Sequence, residues 1–128
     1  MKSTKSAIRY AKALLELSIE NSNLDEVSSD MNRIVESSNE TNDFKVFLSS
    51  PVIKSDKKIK VLKVLFVGFE KLTSSFIDLI TKNKREYLLV EIAEAYLYLL
   101  KKIKWLKILQ TQVGILTVKV YNRKSGTR

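Results

Sequence analysis

The 128 residues contain no cysteine and no histidine, one proline, one tryptophan and three glycines. Without cysteine there is no disulfide framework, no iron–sulfur cluster and no thiol chemistry. Without histidine, the commonest general base near neutral pH and the commonest metal ligand are gone. With both missing, a structural zinc site has no usable ligand set, and Ser–His or Cys–His catalysis is excluded. Asp30, Asp43, Asp78, Glu91 and Glu94 show neither metal-loop spacing nor a paired-carboxylate signature, and no Gly-rich phosphate loop is present. No apolar run approaches the roughly 20 residues that span a bilayer. The polar start, Met1 to Ser6, does not read as a secretory signal. These absences point to a cytoplasmic, non-catalytic interaction module with no cofactor and no metal.

What is present is an ordinary globular balance, 45% apolar and 29% charged, in a chain of single-domain length. The net charge of +9 is unevenly placed. Lys101, Lys102, Lys104, Lys107, Lys119, Arg123, Lys124 and Arg128 fall in the last 28 residues, which hold no acid. Residues 1–100 are left with 15 basic and 14 acidic side chains, close to neutral. Any phosphate-binding argument from net charge therefore rests on the tail.

The first hundred residues read as helices joined by polar turns. In residues 6 to about 21, Arg9, Lys12, Glu16 and Glu20 recur at three- and four-residue steps and form one polar stripe. Asn23 and Glu26 have capping-box spacing ahead of a second helix bearing Leu24, Val27, Met31, Ile34 and Val35. Phe44, Phe47 and Leu48 make a short third face that Pro51 cannot continue. Ser55 is the expected N-cap of a fourth helix, whose buried side is Ile59, Leu62, Leu65 and Phe66 and whose stop is Gly68. A fifth helix is expected from Thr73 or Ser74 to Asn83, and a sixth from about Arg85 past Lys101. Beyond Trp105, Leu116, Val118 and Val120 alternate with Thr117, Lys119 and Tyr121 as in a strand, and Asn122 to Arg128 is expected to lack order. The fold class is all-α: a six-helix bundle over residues 1–105 with an irregular or strand-like basic tail over 106–128.

The first helix carries the most functional information. Its polar stripe spans only about 80°, whereas a surface helix of a small bundle buries an apolar face a little over 100° wide. The remaining arc is about twice that. If Ile8, Leu15 and Ile19 face the core, then Tyr10, Ala13 and Leu17 are left over. Either the helix is packed on both sides, or that flank is one wall of a groove for a partner's amphipathic helix. Lys57, Lys58, Lys60 and Lys63 read as a solvated face. The tail cations interleave with Trp105 and Tyr121, which leaves a helical RNA-binding or antitermination-type module as the rival reading.

Four segments in register resemble a known family. Ala7-Ile8-Arg9-Tyr10-Ala11-Lys12-Ala13-Leu14 is similar to the opening A-x-R-Y-A-x-A-L of the delta subunit of F-type ATP synthase, whose mitochondrial counterpart is the oligomycin-sensitivity-conferral protein. Phe47 to Ile53 followed by Lys57-Lys58 resembles its FL-x-SPVI…KK segment. Phe76 to Ile80 with Asn83 to Glu86 resembles its F-x-x-L-I…N-x-R segment, and Leu88-Leu89-Val90-Glu91-Ile92 its LL-x-EI. The resemblance covers about residues 5–104. It implies a six-helix domain in the peripheral stalk, with a groove between the first and fifth helices that receives the N-terminal helix of an alpha subunit. By position, Tyr10, Ala13, Leu14 and Leu17 would line one wall, and Phe76, Leu79, Ile80 and Asn83 the other. It further implies a monomer within a complex peripheral to the cytoplasmic membrane, with no direct membrane insertion, no cofactor and no nucleic-acid partner.

The family pattern is lost at Ile103-Lys104-Trp105-Leu106, where a K-G turn is expected. Family members carry a second domain there that contacts a b-type stalk subunit. Residues 106–128 read instead as a remnant or replacement of that domain, fitting a shortened or frame-shifted end. The b-type contact then lacks its usual surface.

Overall fold

The structure, a computed structural model, describes the backbone of residues 4–126 and the side chains of residues 4–106 and 109. In chain order the elements are α1 (Lys5–Glu20), α2 (Leu24–Glu40), α3 (Asn42–Ser49), α4 (Ser55–Leu65), α5 (Lys71–Lys82), a single 3₁₀ turn (Glu86–Leu88) and α6 (Leu89–Gly126). The all-α expectation holds, and among the described residues there is no strand. Two compact units result, Met1–Tyr98 and Leu99–Arg128.

The first unit is built around apolar faces at helical spacing. Ala7, Ala11, Leu14 and Leu15 of α1 are buried, as are Val27, Met31 and Ile34 of α2 and Phe76, Ile77 and Ile80 of α5. Leu89, Ile92, Ala93 and Tyr96 of α6 are buried with them. The Tyr96 hydroxyl is 3.1 Å from the Ser18 hydroxyl and donates to the Leu24 carbonyl at 3.3 Å. A buried phenol therefore brings no unpaired polar atom into the core.

Several helix ends differ from the sequence reading, each for a local reason. The Asn23–Glu26 capping box does not form: Asn23 makes no side-chain cap bond. Its backbone is already committed to closing α1, donating to the Ser18 carbonyl at 3.0 Å, while Ser22 sits at φ 57° and donates to Ile19 at 3.2 Å. That is a Schellman closure with serine where glycine is usual. The same closure ends α5, with Lys84 at φ 59° and Arg85 donating to Ile80 at 2.8 Å. Lys54 rather than Ser55 occupies the N-cap of α4, without a side-chain bond. Helix α4 ends at Leu65, ahead of Gly68, whose φ is +91°. Helix α5 starts at Lys71, before the expected Thr73, because its cap comes from elsewhere in the chain. Asp30 of α2, itself buried, accepts from the Glu70 backbone N–H at 2.9 Å. A carboxylate at that end satisfies an orphan donor and complements the helix dipole.

The strand-like tail is corrected. Residues 106–126 continue α6 as helix, including Leu116, Val118, Val120 and Asn122, which the sequence reading placed in a strand or without order. A five-residue alternation has no partner strand to satisfy its backbone, whereas a helix running from Leu89 adds one bond per residue with no new nucleus. Thr127 and Arg128 lie outside the described residues.

Candidate functional site

Small residues let α1 sit deep. Ala7 and Ala11 are fully buried, and Ser18 returns its hydroxyl to the Leu15 carbonyl at 2.8 Å. The core face of α1 is thus Ala7, Ala11, Leu14, Leu15 and Ser18. It lies between the two flanks that the sequence left as alternatives. Leu15 is buried and Ile8 half-buried, but Ile19, expected in the core, is 51% exposed. On the other flank Tyr10 is half-buried, Ala13 is exposed and Leu17 is 43% exposed.

Helix α5 repeats this design. Thr73, Phe76, Ile77, Ile80 and Thr81 are buried, while Leu79 is 52% exposed and Asn83 is exposed at the C-cap. Thr81 donates to the Ile77 carbonyl at 2.7 Å, so its buried hydroxyl is satisfied within the helix. The two sequence-derived sets have the same internal spacing, i, i+3, i+4 and i+7, so each is one stripe along its helix. The Tyr10 and Phe76 rings meet in an edge-to-face contact, 6.1 Å between centroids at 77°. That contact brings the first positions of the two stripes together.

The eight residues divide by depth. Leu14 and Ile80 have no exposed surface, and Phe76 is buried. Tyr10, Ala13, Leu17, Leu79 and Asn83 remain accessible. None of the five carries a formal charge. Nothing among them offers a nucleophile with a base. Among the described residues no cluster could hold a metal ion, and no helix is long and apolar enough to cross a membrane.

Two features escaped the sequence reading. Lys58, read as part of a solvated face, is buried and donates to Glu86 Oε1 at 2.6 Å and to the Leu48 carbonyl at 3.0 Å. Nothing in the Lys57–Lys63 pattern singles it out, because its partner lies 28 positions away. Leu65, read as core, is 51% exposed, with Val61, Val64 and Val67 also exposed around the end of α4.

A family model for the ATP synthase delta (OSCP) subunit matches residues 7–113. ATP synthase subunit delta of Flavobacterium psychrophilum is 33% identical over 115 residues, which cover 90% of this chain and 65% of that protein. The subunit of Cytophaga hutchinsonii is 36% identical over 97 residues, 75% of this chain and 53% of that one. The subunit of Carboxydothermus hydrogenoformans is 39% identical over 92 residues, 72% and 52% respectively. The matched part of the chain spans from about half to just under two thirds of the length of these relatives.

Proposed function

The chain belongs to the ATP synthase delta (OSCP) subunit family, and from that membership we propose that it serves as a peripheral-stalk subunit of an F-type ATP synthase. In this reading the α1–α5 face grips the N-terminal helix of an alpha subunit. The role is mechanical. Rotary catalysis exerts torque on the catalytic head, and a stator must hold the head against it.

The observation that supports this reading is that each stripe combines buried with exposed apolar residues and that the two meet at the Tyr10–Phe76 contact. Leu14, Phe76 and Ile80 are buried, while Leu17 and Leu79 are left half in water. An amphipathic helix laid along the two stripes would remove Leu17 and Leu79 from water at about 25 cal/mol per Å² of apolar surface. Such binding depends little on ionic strength, because it does not rest on exposed charge pairs. Exposed Ala13 adds room for a foreign backbone to approach. Linking the head to the stalk in this way supports proton-driven ATP synthesis without any chemical step on this chain.

The test is a titration of an alpha-subunit N-terminal peptide against the chain and against Ala13→Trp and Leu79→Asp. Loss of binding in both variants, with wild-type affinity unchanged by added salt, is the expected result. Unchanged affinity in both folded variants removes this face from consideration. Binding that collapses with salt and follows the basic segment 101–128 instead would favour the RNA-binding reading.

A further inference from the structure

Two exposed surfaces of the chain have complementary chemistries. The first is a cavity of about 360 Å³ where the end of α2, helix α3 and the end of α4 come together, with Glu40, Asp43, Phe44, Phe47, Leu65 and Phe66 among its lining residues. The rings of Phe44 and Phe66 meet edge-to-face, 5.7 Å between centroids at 89°, which fixes an aromatic wall. Leu65 is exposed, and Val61, one turn earlier on the same side of α4, extends the apolar surface. The lining holds two carboxylates and no basic side chain. Glu40 is the last residue of α2, where the helix dipole is already negative and no basic residue stands in the last turn. Neither Glu40 nor Asp43 is in an ion pair among the described residues. The cavity thus calls for an apolar group accompanied by a cation.

The second surface is on α6. Trp105 is 60% exposed, and Leu106 and Leu109 are exposed with it. Leu109 stands one turn after Trp105 and Leu106, so the three share a face. Lys101 and Lys102, both exposed, stand one turn before them, and residues 101–128 hold no acid. We propose that the cavity is the docking site for this segment of a second copy of the chain. The Trp105 indole of one copy enters beside Phe44, Phe47 and Leu65 of the other, and Lys101 and Lys102 face Glu40 and Asp43. The positive charge of the segment steers the encounter, and removal of the indole from water holds the contact. Each copy carries both a cavity and a segment, so every contact joins unlike surfaces, and mass rises with concentration whether the copies close as an exchanged pair or extend. The patch is small for a permanent interface, which sets the association in the micromolar to millimolar range. The cavity is built by α2, α3 and α4, so the proposal does not rest on the stalk reading, which uses α1 and α5.

Trp105 is the chain's single tryptophan, so its fluorescence reads the proposed contact directly. The experiment measures sedimentation and tryptophan emission of the full chain from micromolar to millimolar concentration. A rising average mass, with emission moving to shorter wavelength over the same range, is expected. Leu65→Lys, on an exposed side chain at the C-terminus of α4, should abolish both changes. Glu40→Lys should weaken association several-fold, as should added salt. Trp105→Ser should be monomeric. Mixing Leu65→Lys with Trp105→Ser brings together one intact cavity and one intact segment. The only tryptophan in that mixture belongs to the Leu65→Lys chain, and its emission should shift as the Trp105→Ser chain is added. A monomer at every concentration overturns the proposal, as does association that survives Leu65→Lys. A mixture that shows no shift also overturns it. So does emission that moves only on adding anionic lipid vesicles, which would assign this face of α6 to a lipid surface.

Discussion

The Tyr10 ring stands edge-on to Phe76, 6.1 Å between centroids, and so ties the outer flank of α1 to the buried face of α5. Phe76 is buried and Tyr10 is half-buried, so the pair joins a core residue to a partly accessible one. Buried and accessible residues of the two stripes should respond differently to substitution.

Leu79→Asp should cost only about 1–2 kcal/mol, because the side chain is already 52% exposed. Phe76→Ala should cost about 3–5 kcal/mol, the range for truncating a buried aromatic. Urea denaturation of both variants checks the contrast. A large loss in Leu79→Asp would place that leucine in the core and not on the docking face.

Lys58→Met should destabilise the chain by about 3–5 kcal/mol, because it leaves Glu86 as an unpaired buried charge. Adding Glu86→Leu to Lys58→Met should recover most of that loss, since replacing both members of a buried pair by apolar groups is often near neutral. A double-mutant cycle in chemical denaturation measures both effects.

Ser22→Gly should stabilise the chain by about 0.5–1 kcal/mol. Serine pays a steric cost at φ 57° that glycine does not. Ser22 is exposed, so the substitution removes no packing. A higher midpoint with an unchanged denaturant slope is the expected signature.

Tyr96 links stability to alkaline pH. Burial pushes its hydroxyl above the ordinary value of 10.0, and the Asp25 and Asp30 carboxylates push it further, against an opposing hydrogen bond with Ser18. The unfolded chain therefore loses this proton at lower pH than the folded chain. The stabilising contribution is full below about pH 10 and is lost as pH rises through the folded value. Tyr96→Phe should lower stability at neutral pH by about 1 kcal/mol through its lost hydrogen bonds. It should also flatten the decline above pH 10.0 that the wild type shows. Denaturation curves of both proteins at neutral and alkaline pH test the two halves of this statement.

Much of the fold was legible because helical period and stop signals are local. The polar stripe Arg9–Lys12–Glu16–Glu20, the break at Pro51 and the end of α5 at Asn83 each depend on neighbours within a turn or two. The excess apolar arc of α1 was legible in the same way, and it singled out Tyr10, Ala13 and Leu17. The start of α5 was not, because its cap is Asp30, 40 positions earlier. The strand expectation for Leu116 to Val120 failed because alternation specifies a strand only when another strand is there to pair with it.

The sequence by itself determined an all-helical chain with no disulfide or His-based chemistry and an overwide apolar face on its first helix, since composition and periodicity are properties of the chain alone. Only the tertiary structure decided which flank residues are buried and which stay accessible. It also decided that Lys58 is spent on Glu86, and that Tyr96 reaches Ser18 and the Leu24 carbonyl. Those outcomes depend on which distant groups arrive at the same place, and a buried charge or hydroxyl is tolerated only where its partner arrives with it.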